Sequence, residues 1–510
     1  IAALDQAIHD IIVSCDLNTT IDVIRAFTVY FHLVNTAEQH HRIRRRYIHD
    51  LTTPLIPLRG SFAALAALLK ECDIDAATLQ QLLSQLSIEL VFTAHPTEAT
   101  RRSLITKLRE IASLLEEHDH VNAMPARQQA RWQRELENIV TLLWRTDAIR
   151  HVRPQPLDEI KMGGYYLTEI LFDALPELYD ELAEILSAAY PQEQLRLPPF
   201  LRLGSWIGGD QDGNPNVHPQ TLLEALHWQR GQAIEHYRSA IQTLAQDFSQ
   251  SLKHCSITPS LQSSLERDAA LFPEYDRELG TQTAQEPYRR KLSFIWKRLE
   301  ATTQYKRSDG AQGSTSVAQE LAFSSAEELF KELQLVQESL LADGEMSVAQ
   351  GQLATLLRQV QVFGFHFAAI DVRQHSERHA AALADLLQAT GLYHEAYTDL
   401  NEPARIEILT GLLSDPRVLP RHEIHLSPAT EHILQTFDAI RQAREEFGAR
   451  AITSYIISMT RSLSDLLEVQ FFCKEAGITD LSIVPLFETI DDLRSCASIL
   501  QSAFTHLNYR

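Results

Sequence analysis

The sequence predicts a helix-rich α/β fold, an incomplete (β/α)8 barrel of the TIM type with about five strands present. Three observations carry that prediction. Most of the chain repeats its apolar residues at the three-to-four spacing of amphipathic helices. Five short segments break that spacing with β-branched, aromatic and leucine residues, as buried strands do. Each of the five leads into a His, Asp, Arg or Glu.

Helical stretches such as Ala326–Leu341 and Gln133–Arg150 place apolar residues on one face. The strand-like segments are Glu89–Ala94, Phe200–Ile207, Val362–Val372, Thr453–Met459 and Ser482–Glu488. Helices between strands argue for a parallel sheet. In a (β/α) barrel, chemistry collects at the C-terminal strand ends. His95, then Asp210 and Asp212, Arg373, Arg461 and Asp465, and finally Glu488 stand there. An open doubly wound sheet is the alternative on pattern alone. The expected division is an N-terminal helical region over 1–88, then the first five strands with large helical insertions over 89–510. Loops are expected over Arg307–Ser316, around Pro191–Pro199, and over Asp415–Pro428.

A chain of 510 residues is too long for one ordinary domain but within reach of a large barrel with insertions. Its net charge of -21 argues against nucleic acid or an anionic membrane as partner. An anionic substrate must therefore meet a local basic pocket. The five cysteines form no CxxC pair, which suits free thiols in a reducing compartment, and a cytoplasmic location is expected. No apolar run reaches the roughly 18 residues of a membrane span. The chain opens on Ile1 rather than methionine, so a preceding segment is expected.

His95 lies in TAHPTEATRR, where Pro96 pushes its neighbour out of helical geometry. A loop histidine there can move a proton near neutral pH, or simply bond the backbone. The loop GSWIGGDQDGNPN (Gly204–Asn216) is glycine-rich and acidic, and suits either a ligand or a tight turn. Its DxDGNPN lacks the sixth-place glycine of an EF-hand calcium loop. Arg373 suits bidentate capture of phosphate or carboxylate, or a salt bridge to Asp371 or Glu377. His375 and His379 are spaced as a helical metal pair, but with no HExxH a solvated or packed helix face is the preferred reading. Glu488 ends an apolar strand, where a carboxylate is costly unless paired or metal-bound. Arg461 and Asp465 suit a mutual pair. The run Arg42–Arg46 beside His40 and His41 reads as a solvated or subunit-facing surface.

The motifs FTAHPTEATRR, GSWIGGDQDGNPN, FGFHFAAIDVRQHSERH, YIISMTRSLSDLLEV and IVPLFETIDDL run in order through the chain. Together they resemble the phosphoenolpyruvate carboxylases, and matching stretches extend from Val34 to Leu493. The resemblance implies a (β/α)8 barrel buried in helices. It implies conversion of phosphoenolpyruvate and bicarbonate to oxaloacetate and phosphate, through carboxyphosphate and a metal-stabilised enolate. Magnesium or manganese is the implied cofactor, and an allosteric homotetramer the implied assembly. By that resemblance His95 is the catalytic histidine and Glu488 the metal-binding glutamate. Arg373 binds substrate, and Trp206 and Leu486 line the apolar wall of the bicarbonate pocket.

Two departures from the family pattern stand out. The usual GGDRDGNP carries Gln211 here, which removes a positive charge and is expected to weaken anion binding near the loop. The family's C-terminal metal-binding aspartate, catalytic lysine and glycine-rich loop have no match before Arg510. These 510 residues alone are therefore expected not to form oxaloacetate. Two other readings are a phosphohistidine-type enzyme using phosphoenolpyruvate through His95, and a helical regulatory or assembly module.

Overall fold

The computed structural model describes all residues except 1, 54–56, 94–99, 120–123, 148–154, 194, 215, 282, 308–320, 394, 420–423 and 510. The chain divides into two compact units, residues 1–73 with 95–153, and residues 74–94 with 154–510.

Described elements of the first unit are helices. Asp16 caps the long helix Leu17–Thr52 by accepting the Thr19 amide at 2.7 Å. The helices Arg102–His118 and Ala126–Trp144 are strongly amphipathic. Leu104, Ile111 and Leu143 form the buried centre, with Val29 and Leu33 of the long helix packed against it. Within the basic run, Arg44 reaches Asp119 at 3.3 Å and Arg42 pairs with Glu38 one turn away.

The second unit holds the strands: β1 (Ile88–Phe92), β2 (Leu201–Ser205), β3 (Ala369–Ile370), β4 (Val372–His375), β5 (Ser454–Ser458) and β6 (Ser482–Pro485). They form two three-stranded parallel sheets, β1-β2-β3 and β4-β5-β6. Only Asp371 separates β3 from β4, and its amide donates to Ser205 O at 2.9 Å. A parallel bridge from Asp210 to Arg373 carries the pairing on. The fold is thus helix-rich α/β with small parallel sheets.

Four expected strands lie within two residues of their expected starts. The third differs. Val362 and Phe363 end a helix, Gln352–Phe363, and pairing begins only at Ala369. Leu353, Leu356, Leu357, Val360 and Phe363 are all buried at helical spacing, so that apolar run satisfies a helix. Gly364 stops it with φ +55, a conformation glycine adopts freely.

Between the sheets and their helices lies the main core. Tyr455 of β5, Phe437 and Phe472 stack there with centroid separations of 4.9 and 5.5 Å. Elsewhere in this unit Lys291 is wholly buried. Its Nζ lies 2.6 Å from Asp268 and 2.7 Å from Ser264, and also contacts Glu332. These side chains tie the helices Pro259–Leu271, Pro287–Arg307 and Ala326–Ala342 together.

Candidate active site

Beyond β2 the chain cannot continue straight, because the glycine loop is drawn onto β4. Arg373 N donates to Gly209 O at 3.1 Å, and Gln211 N donates back to Arg373 O at 2.9 Å. Close approach is what requires glycine here. A Cβ on Gly209 would stand 2.2 Å from Asp371 O, and Gly208 holds φ +91. The loop is therefore a structural turn that also presents side chains. The Trp206 amide, just after β2, bonds Phe92 O at 2.7 Å.

Arg373 sits at the centre of the presented groups. Its Nε and Nη2 each lie 2.8 Å from one oxygen of Asp210, a two-pronged pair, and Nη2 is 3.9 Å from Asp212. The guanidinium carbon is 4.8 Å from the Trp206 ring centroid. Neither Asp371 nor Glu377 takes the arginine, so both salt-bridge partners expected from sequence are replaced by Asp210. Burial opposes the charge on Arg373, but Asp210, Asp212 and Glu488 outweigh it and raise its pKa. Arg373 and Glu488 thus share an electrostatic neighbourhood. Leu486, half-buried, is fixed by its amide to Ile457 O at 2.9 Å and by its carbonyl from Thr460 N at 3.1 Å.

Glu488 requires a correction. Strand β6 ends at Pro485, and Glu488 is an exposed residue three positions on, not a desolvated carboxylate inside an apolar strand. Its exposed position therefore does not by itself call for a metal. One exposed carboxylate still suits the protein's share of a magnesium site, where substrate phosphate and water supply the other ligands. Among the described residues no group of three or more His, Cys, Asp or Glu is placed to hold a metal by itself.

His95 lies outside the described residues. His375 and His379 are not a metal pair: His375 Nδ1 accepts the Glu377 amide at 3.2 Å as a helix cap, and His379 Nε2 lies 2.8 Å from the Tyr455 hydroxyl. Burial pushes the wholly buried His379 down to about 3, so it stays neutral. Arg461 and Asp465 meet through the backbone instead of their charges. Asp465 accepts the Arg461 and Ser462 amides at 2.8 and 3.0 Å, capping the next helix.

Sequence reasoning passed over Asp371 as a site residue. It accepts the Trp206 indole N–H at 3.2 Å and so orients the ring on which Arg373 rests. The signal was present, a lone carboxylate inside the apolar run AAIDV. Burial, with Glu89 nearby, pushes Asp371 up to about 6. In the unfolded chain the carboxyl ionises near 4, in the folded chain near 6, so its contribution is fully present below 4 and is lost as pH rises from 4 to 6. Asp371→Asn should therefore raise stability at pH 8 by about 1–3 kcal/mol and change little at pH 4. Thermal melts at the two pH values check this; an equal shift at both would show that ionisation is not the cause.

A family model described as phosphoenolpyruvate carboxylase matches residues 2–510. The chain belongs to the phosphoenolpyruvate carboxylase family. It is 40% identical over 500 residues to a phosphoenolpyruvate carboxylase of Roseiflexus castenholzii, covering 96% of this chain and 52% of that protein. The enzymes of that name from Synechococcus sp. and Gloeobacter violaceus are 35% and 36% identical, over 100% and 97% of this chain and 54% and 53% of theirs. The chain thus spans about half the length of the curated phosphoenolpyruvate carboxylases it matches. Among its described residues no helix is long and apolar enough to cross a membrane.

Proposed function

We propose that this chain contributes the Arg373 side of a carboxylase active site that converts phosphoenolpyruvate and bicarbonate to oxaloacetate and phosphate. The observation that supports it most is Arg373 itself, charged, two-pronged and seated on Trp206 within the parallel strand β4, in a chain of this family. In this reading Arg373 binds the substrate anion. Trp206 and Leu486 form an apolar wall that keeps water from bicarbonate.

A bicarbonate oxygen attacks phosphorus, and the bond from phosphorus to the enol oxygen breaks, giving carboxyphosphate and the enolate of pyruvate. His95 takes the carboxyl proton of carboxyphosphate, whose carbon–oxygen bond then breaks to release carbon dioxide and phosphate. The enolate carbon adds to carbon dioxide and closes the sequence at oxaloacetate. A divalent ion, magnesium or manganese, would be held by Glu488 and would supply positive charge to the phosphoryl oxygens.

In the same proposal the sheets belong to an incomplete (β/α)8 barrel, with residues 1–88 as a helical region before it. Their parallel order supports this, as do the exposed apolar residues of the outermost strands, Leu90 and Val91 of β1 and Val484 of β6. A cytoplasmic homotetramer completes the reading.

Two substitutions test it in a family-length enzyme carrying this sequence. Glu488→Gln should sharply raise the magnesium or manganese concentration needed for half-maximal rate. Folding should be unaffected, since the residue is exposed. An unchanged metal requirement would remove Glu488 from the metal site. His95→Asn should leave that requirement alone and cut turnover by about 10²-fold or more. Steady-state kinetics with coupled reduction of oxaloacetate reads both, and near-normal turnover in His95→Asn would refute the base assignment.

A further inference from the structure

Trp206 is held from two sides by one extended segment. Asp371 and Arg373 are two residues apart, so their side chains share a face. Asp371 takes the indole N–H at the edge of the ring, at 3.2 Å. The Arg373 guanidinium lies over the ring, 4.8 Å from its centroid. The segment itself is fixed by its backbone. Asp371 N donates to Ser205 O at 2.9 Å, and Arg373 N to Gly209 O at 3.1 Å.

The two contacts on the ring act differently. The hydrogen bond from the Trp206 amide to Phe92 O fixes where the side chain starts, but not its rotation about the side-chain bonds. A cation attracts an aromatic ring in either of two poses related by a half-turn, because both present a π face. A hydrogen bond is directional, and one pose alone points the N–H at Asp371. Asp371 is buried, so a flipped ring would deprive a buried carboxyl of this donor, which is costly. The carboxyl therefore selects the pose, and the pose gives Arg373 the surface on which it rests. Charges on Asp210, Asp212 and Glu488 act on Arg373 directly, whereas Asp371 reaches it through the ring.

We propose that Asp371 is a positioning residue for anion binding: by locking the Trp206 indole it keeps the Arg373 guanidinium aimed at the substrate, without touching the substrate itself. That the anion is phosphoenolpyruvate rests on the carboxylase reading above.

The lock is read in this chain by NMR of isotope-labelled tryptophan, with Trp206→Phe assigning its signal among the five indoles. Asp371→Leu should move the Trp206 N–H signal upfield and speed its exchange with solvent. An unmoved signal overturns the proposal. The consequence for binding is read by steady-state kinetics in a family-length enzyme carrying this sequence. Asp371→Leu should raise KM for phosphoenolpyruvate about tenfold, the scale of one lost cation–π contact, and leave kcat within about twofold. Asp371→Asn keeps an acceptor without the charge, so it should raise KM about threefold while stabilising the fold at pH 8. Weaker binding in a more stable protein is an outcome that a residue acting by packing alone does not give. In a Trp206→Phe background, which keeps a ring face and lacks the N–H, Asp371→Leu should change KM no further. An equal rise in both backgrounds overturns the proposal, because the effect would then bypass the ring. So does a KM that Arg373→Gln raises and Asp371→Leu does not. A KM unmoved by Arg373→Gln would instead overturn the reading of Arg373, and the proposal with it.

Discussion

Replacing Arg373 with glutamine should lower kcat/KM for phosphoenolpyruvate by about 10²- to 10³-fold in a family-length enzyme, the range for removing one anion-stabilising group. The size follows from geometry. Arg373 is held by two 2.8 Å bonds to Asp210 and by the Trp206 ring, so its position is set before substrate arrives. Arg373→Lys should recover only part of the loss, because a point charge cannot reproduce the planar fork. Charge balance alone is a competing explanation, since the substitution strands Asp210 and Asp212. The double variant Arg373→Gln with Asp210→Asn separates the two. It should recover thermal stability and stay slow, whereas a recovered rate would reduce Arg373 to a structural counter-ion.

The second large effect is on stability. Lys291→Met should lower the unfolding free energy of its unit by about 3–5 kcal/mol, the cost of leaving buried charge unpaired. Asp268 and Glu332 would then face each other and Ser264 with no cation between them. Adding Asp268→Leu and Glu332→Leu should recover most of the loss, because an apolar set of similar volume avoids desolvating any charge. Urea midpoints of the single and triple variants measure both. A single variant as stable as the parent would mean that water reaches the cluster and screens it.

The sequence carried much of this architecture. Four strands announced themselves by short runs of β-branched, aromatic and leucine residues; β2 and β5 are buried, as such runs imply, whereas β1 and β6 are largely exposed. The run Val362–Val372 misled because one apolar segment serves two elements, and only Gly364 marks the change. Amphipathic helices were legible from spacing, though not their bounds: Ala326–Ala342 stops within a residue of its expected end, whereas the stretch expected to run to Arg150 is helical only to Trp144. Site legibility followed the same logic. Trp206 and Leu486 each follow a strand end directly, so motif and pattern locate them together, while Arg373, expected just past a strand, lies inside β4. Their partners are long-range: Asp210 is 163 residues from Arg373, and Asp371 is 165 from Trp206. No local signal chooses Asp210 over the nearer Asp371 or Glu377. Glu488 was misjudged for a related reason, since an apolar run does not say where strand pairing stops.

Gly209 gives the loop an uneven tolerance to mutation. It carries no side chain that could meet a substrate, yet a single methyl group there would strike the Asp371 carbonyl and lift the loop from β4. Asp210 would move with it, and Arg373 would lose its anchor. In a saturation scan scored by activity, position 209 should therefore look like a catalytic position, and alanine should do nearly as much harm as tryptophan. A flat response to size, without the graded decline of a packing defect, is the mark of a backbone contact with no room left.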